Sequence, residues 1–379
     1  MSEKIFILEP RLNGHCGNFT RLLSQAFSQK NKEVSIATYE NEFNHFFIQN
    51  NIEREKIKDI YFLKNLMPKL NFLNVPSLIK KISFFPYIIE KFIFLLYIII
   101  RFRPTIIMLP SIDGLIYLGS FFKPLIWILG NKTKVYGFLA SYKIFYTKTS
   151  FLRQKIFYIS LFSFDRVLIN DEFFASHLKF SGFSNIQYMP DPIEDFCLNP
   201  NTKQLKLKWN LPINSYIVGM TGVIDYRKGS DIIIRATSEI KRDDITFVLA
   251  GKISNEIKDL LGTHHISTNL IVIDRFLSLQ EMHEIITCFD LVLLPYRNIH
   301  FGIASMLLRA MSCNTPALVS KYGWFEKMSE KLDSVYSFEG EQDFVHQIQN
   351  IENIILNNHK DFASHYTEQS IKDFIDSWS

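Results

Sequence analysis

The residues best suited to chemistry are two cations on a glycine-bearing loop in the second half of the chain. Arg227 and Lys228 stand between Gly222 and Gly229, after the apolar run 216–220 and before a helical pattern. A strand–loop–helix unit points free helix N–H groups at a ligand, and glycine lets the backbone approach it closely. The pattern predicts an anion site that suits a diphosphate; the alternative is that both cations are ordinary surface charges. The loop has neither the GxxxxGK[ST] nor the GxGxxG spacing.

A second helix start is predicted at the same edge of the sheet. The apolar run 291–294 leads into a polar loop with Gly302, and a helix is expected over about 304–313. Ala304 and Ser305 stand near its beginning. Because ligands of open α/β sheets bind beyond the carboxyl ends of the strands, both loops are expected to face one site. Two helix N-termini would then act on one anionic ligand.

Together, these stretches resemble the C-terminal domain of nucleotide-sugar glycosyltransferases with the GT-B fold, in particular the retaining family 4, glycosyl transferases group 1. The resemblance rests on TGVIDYRKGSD followed by FVLAG, then LPYR, then LLRAMSCNTPALVS. It implies an α/β fold of two Rossmann-like domains facing across a cleft, with a C-terminal helix crossing back to the first domain. It also implies transfer of a sugar from a nucleoside-diphosphate sugar to a saccharide or lipid-linked acceptor. That reaction would retain the anomeric configuration and need neither a metal nor another cofactor.

The resemblance also assigns roles on the donor side. Lys228 is the expected diphosphate cation, and Arg227 stands in for a family arginine whose position is Val223 here. Two family glutamates, one facing the donor sugar and one holding the ribose, are replaced by Phe301 and Arg309. The donor residues assigned in this way are Gly222, Arg227, Lys228, Gly302, Ala304 and Ser305 for the diphosphate, Arg275, Phe276 and Arg309 for the nucleoside, and His300 and Phe301 for the sugar. Packing in the protein is the alternative role for Phe276.

The first half supplies the candidates for catalysis and for the acceptor side. His15 lies between Gly14 and Gly17 in a loop predicted to follow the first strand, with a helix expected from about Asn18. Histidine changes its charge near neutral pH, and the two glycines let the loop approach a ligand. Asp113 follows another predicted strand and suits a base or an acceptor for sugar hydroxyls. The structural alternatives are an exposed loop histidine and a turn or N-cap aspartate.

The length of the chain indicates how many domains it forms, and its cysteine content indicates the cellular compartment. A chain of 379 residues predicts two domains, which we assign to 1–192 with a terminal helix at 364–379, and to 193–363. The four cysteines are scattered, with no CxxC pair and no metal-ligand spacing, as is typical of a reducing cytosol. The N-terminal MSEKIFILEP lacks the shape of a signal peptide. We therefore expect a cytoplasmic protein without a metal site.

Charge is distributed unequally between the two halves. Residues 1–190 hold 24 lysines and arginines against 13 acidic residues, a net charge of +11; residues 191–379 hold 18 against 25, a net charge of −7. The first half is therefore expected to meet an anionic partner. No nucleic-acid-binding motif is present, so an anionic membrane surface is the better match. The segment 79–103 is too interrupted by charges to span a bilayer, and reads either as a core helix or as a helix lying at the membrane surface.

Three functions compete on these observations. The first is a glycosyltransferase that builds a surface polysaccharide or glycolipid, in the cytoplasm or peripherally at the inner membrane face. The second is a non-catalytic glycosyltransferase-like partner subunit, suggested by Phe301 and Arg309 at the glutamate positions. The third is a nucleotide-sugar 2-epimerase on the same fold, which needs several carboxylates and histidines in its cleft. His15, Asp113 and His300 are the candidates for those positions.

Overall fold

The protein divides into two compact units, with the boundary between Pro190 and Asp191. The computed structural model describes residues 3–12, 14–30, 32–44, 59–63, 77–116, 118, 122–129, 132–140, 143–146, 150–191, 201–263, 269–297 and 302–356. His300, Phe301 and the expected terminal helix 364–379 lie outside the described residues.

The first unit is a seven-stranded, wholly parallel sheet flanked by helices. Its strands are β1 (Lys4–Leu8), β2 (Glu33–Thr38), β3 (Asp59–Phe62), β4 (Ile106–Leu109), β5 (Lys134–Leu139), β6 (Arg166–Ile169) and β7 (Ile186–Tyr188), in the order β3-β2-β1-β4-β5-β6-β7. Its helices are α1 (Gly14–Gln29), α2 (Ser77–Phe102), α3 (Phe122–Ile128), α4 (Lys143–Tyr146), α5 (Phe151–Leu161) and α6 (Glu172–Phe180). The central strands are continuous apolar runs because helices cover both faces of a parallel sheet.

The second unit repeats the design with a six-stranded parallel sheet. Its strands are β8 (Tyr216–Thr221), β9 (Ile245–Ala250), β10 (Leu270–Ile273), β11 (Leu291–Leu294), β12 (Ala317–Ser320) and β13 (Val335–Phe338), in the order β10-β9-β8-β11-β12-β13. Its helices are α7 (Thr202–Lys208), α8 (Ser230–Glu239), α9 (Asn255–Thr263), α10 (Leu279–Thr287), α11 (Ser305–Ser312), α12 (Gly323–Lys331), α13 (Gly340–Gln349) and α14 (Ile351–Leu356). The two Rossmann-like units expected from the resemblance are confirmed.

The start of α1 differs from the sequence-based expectation. The helix begins at Gly14 rather than at about Asn18, so Gly14, His15 and Gly17 belong to its first turn and not to a loop. Glycine is poorly suited to a helix interior, which is why the segment read as a loop. In the first turn, however, the N–H groups have no partner within the helix, and the penalty for a non-ideal residue is correspondingly small.

Helix α2 is a core helix on one face. Leu95, Ile98 and Ile99 are fully buried, whereas Ile93 and Tyr97 are exposed. The core alternative for segment 79–103 is thus confirmed for the buried face. Within the described part of the chain, no helix is long and apolar enough to cross a membrane.

Candidate functional site

The order of the strands marks one position in each sheet where a ligand is expected. The order reverses between β1 and β4 in the first unit and between β8 and β11 in the second. At such a switch point the two following chain segments leave in opposite directions and open a crevice beyond the strand ends. In the second unit these segments carry Gly222 to Lys228 after β8 and the start of α11 after β11. The two predicted anion-binding loops are therefore neighbours.

Lys228 lies inside this crevice rather than on the surface. It ends a short 3₁₀ turn, Tyr226–Lys228, whose first N–H groups are capped by Asp225 through a 2.9 Å bond to the Lys228 N–H. The residue is only 9% exposed. A Cβ placed at Gly222 would lie 3.2 Å from Lys228 Nζ and 3.4 Å from Met306 Cε of α11. The ammonium group therefore sits between the end of β8 and the first turn of α11.

Glycine is required at both ends of this loop. Gly222 has φ +95° and Gly229 has φ +71°, and a Cβ at Gly229 would meet the Pro295 carbonyl oxygen at 1.9 Å. Gly251, at the end of β9, packs so closely that its Cβ would be 1.7 Å from the Gly222 oxygen. The positive φ angles and these close contacts together fix the position of the loop relative to the ends of the strands.

Helix α11 adds a second positive contribution. Its N-cap is Ala304, which offers no side-chain cap, and its first turn holds no acidic residue. Ser305 is exposed at that turn, and Gly302 precedes it half-buried. One turn further along, Arg309 is 8% exposed. Among the described residues, therefore, neither the N-cap side chain nor an acidic side chain of the first turn uses the partial positive charge of this helix start.

Two neighbouring arginines act on the charge of Lys228. Burial lowers the pKa of Lys228 from 10.5 to about 8, and the charges of Arg227 and Arg309 shift this pKa in the same direction. Among the described residues no carboxylate forms an ion pair with the Lys228 ammonium; Asp225, the nearest acidic influence, instead pairs with Arg227 at 3.6 Å. A buried cation held beside two others, without a counter-ion of its own, suits a multiply charged anion.

Arg297 joins the two loops into one structure. Its N–H donates to the Arg227 carbonyl oxygen at 3.0 Å, and its Nε donates to the Tyr226 oxygen at 3.1 Å. Its guanidinium lies 3.9 Å from the centre of the Tyr226 ring and pairs with Asp231 of α8. No role was predicted for Arg297 from the sequence. The only signal in the sequence is its place as the last residue of the LPYR motif, directly after β11.

Two of the three expected nucleoside residues, Arg275 and Phe276, follow the edge strand β10, whereas the third, Arg309, lies in α11. Arg275 forms an ion pair with Glu281 at 2.7 Å and lies over the Trp209 ring, so its side chain is held locally. Phe276 is 75% exposed, which excludes the alternative that it packs in the core. An exposed aromatic ring at a strand end is available for stacking, and its contact with a base stays a prediction.

The switch point of the first unit contains a buried ion pair that sequence reasoning missed. Lys91 of α2 contacts Glu9, which follows β1, at 2.8 Å, and both side chains are almost completely buried. The same ammonium donates to the Ser111 carbonyl oxygen at 2.8 Å. The ion pair and the hydrogen bond of Lys91 therefore fix the segments after β1 and β4 to helix α2. Two charges inside apolar runs were the available signal.

Asp113 and the start of α1 belong to this second switch point. The Asp113 carboxylate accepts a 2.9 Å bond from the Ala140 N–H at the end of β5, which gives it a structural role in the turn. Burial, with Glu9 next and Asp113 also contributing, raises the pKa of the Cys16 thiol to about 12. Cys16 directly follows His15 in α1, so α1 begins beside Glu9 and Asp113. The catalytic roles of His15 and Asp113, and the acceptor roles of Gly14 and Gly17, stay predictions.

Potential metal ligands do not cluster among the residues that the structure describes. Within the described ranges, no three histidine, cysteine, aspartate or glutamate side chains are close enough together to hold an ion. Metal-independent binding of the donor stays a prediction.

Comparison with known proteins finds similarity to glycosyltransferases over part of the chain. Residues 201–369 match the family model described as "Glycosyl transferases group 1". The D-inositol 3-phosphate glycosyltransferase of Corynebacterium aurimucosum is 27% identical over 131 residues, which are 32% of this chain and 31% of that protein, so most of the relative lies outside the match.

Two solved structures share the fold over nearly the whole chain. Sucrose-phosphate synthase from Thermosynechococcus elongatus aligns with a TM-score of 0.69 at 13% identity, covering 99% of this chain and 98% of its own. Anabaena HepE, solved in complex with UDP and glucose, aligns with a TM-score of 0.64 at 13% identity, covering 99% of each chain. The chain therefore has the GT-B fold of these structures, and its residues 201–369 are similar to the glycosyl transferases group 1.

Proposed function

We propose that the protein transfers a sugar from a nucleoside-diphosphate sugar to a saccharide or lipid-linked acceptor, with retention of configuration and without a metal ion. The observation that carries the proposal is the buried Lys228, whose pKa is lowered to about 8 by burial and by its cationic neighbours. A diphosphate is the part of a donor that would neutralise this group. A UDP complex is described for HepE, which makes UDP the first nucleotide to test.

The proposed chemistry follows from where negative charge develops. As the bond between sugar and diphosphate breaks, charge builds on the leaving diphosphate oxygens. Lys228, Arg309 and the free first turn of α11 would stabilise this charge from fixed positions, which is how a preorganised site lowers a barrier. Arg309 replaces a family glutamate, and this one exchange adds a positive charge to the site and removes a negative one. We infer tight binding of the diphosphate and weaker recognition of the ribose.

The acceptor would bind on the first unit, where His15 and Asp113 are the proposed catalytic residues. His15 would act as a general base near neutral pH, and Asp113 would accept a hydrogen bond from an acceptor hydroxyl. The hydrogen bond from Ala140 to Asp113 orients that carboxylate. Replacement of His15 by Ala should reduce transfer without reducing nucleotide affinity.

Calorimetry with UDP, GDP and ADP tests the donor site and separates the leading function from a non-catalytic partner subunit. Binding of one nucleotide in the micromolar range supports an enzyme, whereas a folded sample that binds none of them favours the partner subunit. Incubation of the bound donor alone then tests for an epimerase, because epimerisation needs no acceptor. A donor-by-acceptor screen that detects the released nucleoside diphosphate, repeated with EDTA, tests transfer and its metal independence. The anomeric proton coupling of the product decides between retention and inversion.

A peripheral position at an anionic, cytoplasmic membrane face, in surface polysaccharide or glycolipid synthesis, is part of the proposal. The support is the +11 charge of residues 1–190 together with exposed apolar side chains in the same unit, of which Trp127 (82%) and Phe151 (78%) are examples. Co-sedimentation with vesicles containing phosphatidylglycerol should exceed that with neutral vesicles. Equal recovery of the protein with anionic and with neutral vesicles would contradict the proposed position at an anionic membrane.

A further inference from the structure

An apolar cavity opens in the first unit beside the proposed acceptor residues. Its volume is about 400 Å³, within the roughly 300–1,000 Å³ of ligand pockets. Gly114, the neighbour of Asp113 in the chain, forms part of its wall, and Leu118 continues that wall. Ile88 of α2 closes the inner side. The cavity therefore begins one residue from a proposed catalytic group.

Helix α5 supplies the outer wall, and it presents apolar side chains to solvent instead of hiding them. Leu152 is 67%, Ile156 38% and Ile159 50% exposed, and their spacing places them along one face of the helix. Leu152 and Ile156 line the cavity, whereas Ile159 lies beyond it. A helix of a water-soluble domain normally turns such a stripe towards the core. This stripe is instead continuous with the wall of the cavity.

One charged side chain stands among the described residues that line the cavity. Arg153, in the first turn of α5, is the cation among the described lining residues, and that turn holds no acidic residue. The unit around it carries the +11 net charge of residues 1–190. An apolar wall with a cation at its edge matches an amphiphile with an anionic head group. A free saccharide does not match it, because the sugar hydroxyls would lose their hydrogen bonds against Leu152 and Ile156.

We propose that this cavity binds the hydrocarbon chain of a lipid-linked acceptor, with the phosphate of that acceptor at Arg153. The inference rests on the proposed glycosyl transfer and narrows its acceptor from a saccharide or lipid to an anionic lipid. The lipid phosphate at Arg153 would anchor the head group, and the sugar to be extended would lie towards Asp113.

Alkyl phosphates of increasing length test the cavity directly in the full-length protein. Hexyl, octyl and decyl phosphate are titrated by calorimetry below their critical micelle concentrations, with octyl glucoside as the uncharged probe. Affinity should rise about fourfold for each added methylene group, since each buried methylene contributes a constant increment. Failure of all three alkyl phosphates to bind, or affinity independent of chain length, would overturn the proposal.

Variants on one helix supply the matched comparison. Leu152→Gln should lower the affinity for decyl phosphate about tenfold, whereas Ile159→Gln, at an exposed position of the same helix face outside the cavity, should leave it unchanged. Arg153→Gln should weaken octyl phosphate about fivefold and leave octyl glucoside unaffected. Equal losses in the Leu152 and Ile159 variants would indicate adsorption to the surface and contradict a cavity. Circular dichroism confirms that each variant is folded.

A UDP titration of the same samples separates the two proposals. UDP binding without any alkyl phosphate binding overturns the lipid cavity and leaves the donor site standing. Alkyl phosphate binding without binding of any nucleoside diphosphate overturns the glycosyl transfer and keeps the cavity.

Discussion

Replacement of Lys228 by Met should make the protein more stable and less able to bind a nucleotide. In the folded, unliganded protein the pKa of Lys228 is lowered from 10.5 to about 8 by burial and by its cationic neighbours. Each unit of pKa difference corresponds to about 1.4 kcal/mol, so keeping this lysine charged costs about 3 kcal/mol. Methionine has a similar length and no charge, and the variant should recover about 1–3 kcal/mol at pH 7.

The sign of the pH dependence follows from the same shift. Between about pH 8 and pH 10.5 the unfolded chain holds a proton on Lys228 that the folded chain has released. The stability of the wild-type protein should therefore rise with pH through this window relative to the variant. The advantage of Lys228→Met should be complete below pH 8 and should vanish near pH 10.5.

Scanning calorimetry at pH 7 and pH 10 and a UDP titration measure both effects. The exposed Lys241→Met, in the same unit, is the matched control and should change neither stability nor affinity. Loss of a charge-assisted hydrogen bond, worth roughly 1.5–3 kcal/mol, should weaken UDP roughly 10- to 100-fold in Lys228→Met. A variant that is less stable than the wild type at pH 7 would refute the cost of burying the charged Lys228. A variant that binds UDP normally would refute its place in the proposed donor site.

Three further predictions concern both switch points. The affinity for UDP should fall by up to about tenfold per pH unit above pH 8 in calorimetric titrations, and this fall should be absent in Lys228→Met. Gly222→Ala should lower the urea midpoint, because φ is +95° and the new Cβ would press on the Lys228 ammonium at 3.2 Å; a midpoint equal to that of the wild type would argue against this backbone. Glu9→Gln should cost about 3–5 kcal/mol of unfolding free energy because Lys91 stays buried and charged, whereas Glu3→Gln, in the surface pair with Lys32, should cost less than about 1 kcal/mol; equal losses would contradict the buried pair.

The strands and the donor loops could be predicted from the sequence because their signals are local. Buried parallel strands are apolar runs that end at glycine or a polar residue, and the runs at 216–220 and 291–294 coincide with β8 and β11 within a residue or two. Strand β3 was missed because it is an edge strand of only half-buried and exposed residues, Asp59–Phe62, which leaves no apolar run to detect. The helix α7 was not predicted from the sequence, since its pattern TKQLKLK is mostly polar.

The interactions of the charged groups at the two sites could not be predicted from the sequence. Glu9 and Lys91 are 82 residues apart, and no local pattern indicates that one neutralises the other. Arg309 read only as a departure from a family pattern, whereas the strand order places its charge near that of Lys228. The pKa of Lys228 depends on that proximity and on burial, both of which are properties of the folded sheet.

The bridge made by Arg297 has a consequence for how a nucleotide would be received. Because the Arg297 side chain and N–H tie the turn Tyr226–Lys228 to the end of β11, and Arg297 is itself anchored to α8 through Asp231, this turn cannot move independently of the sheet. The turn that carries Lys228 is thus held in place without a ligand. If the proposed diphosphate binds there, this turn has little conformational entropy to lose, so we expect it to contribute to selectivity between nucleotides through its shape and charge rather than by reordering around the ligand.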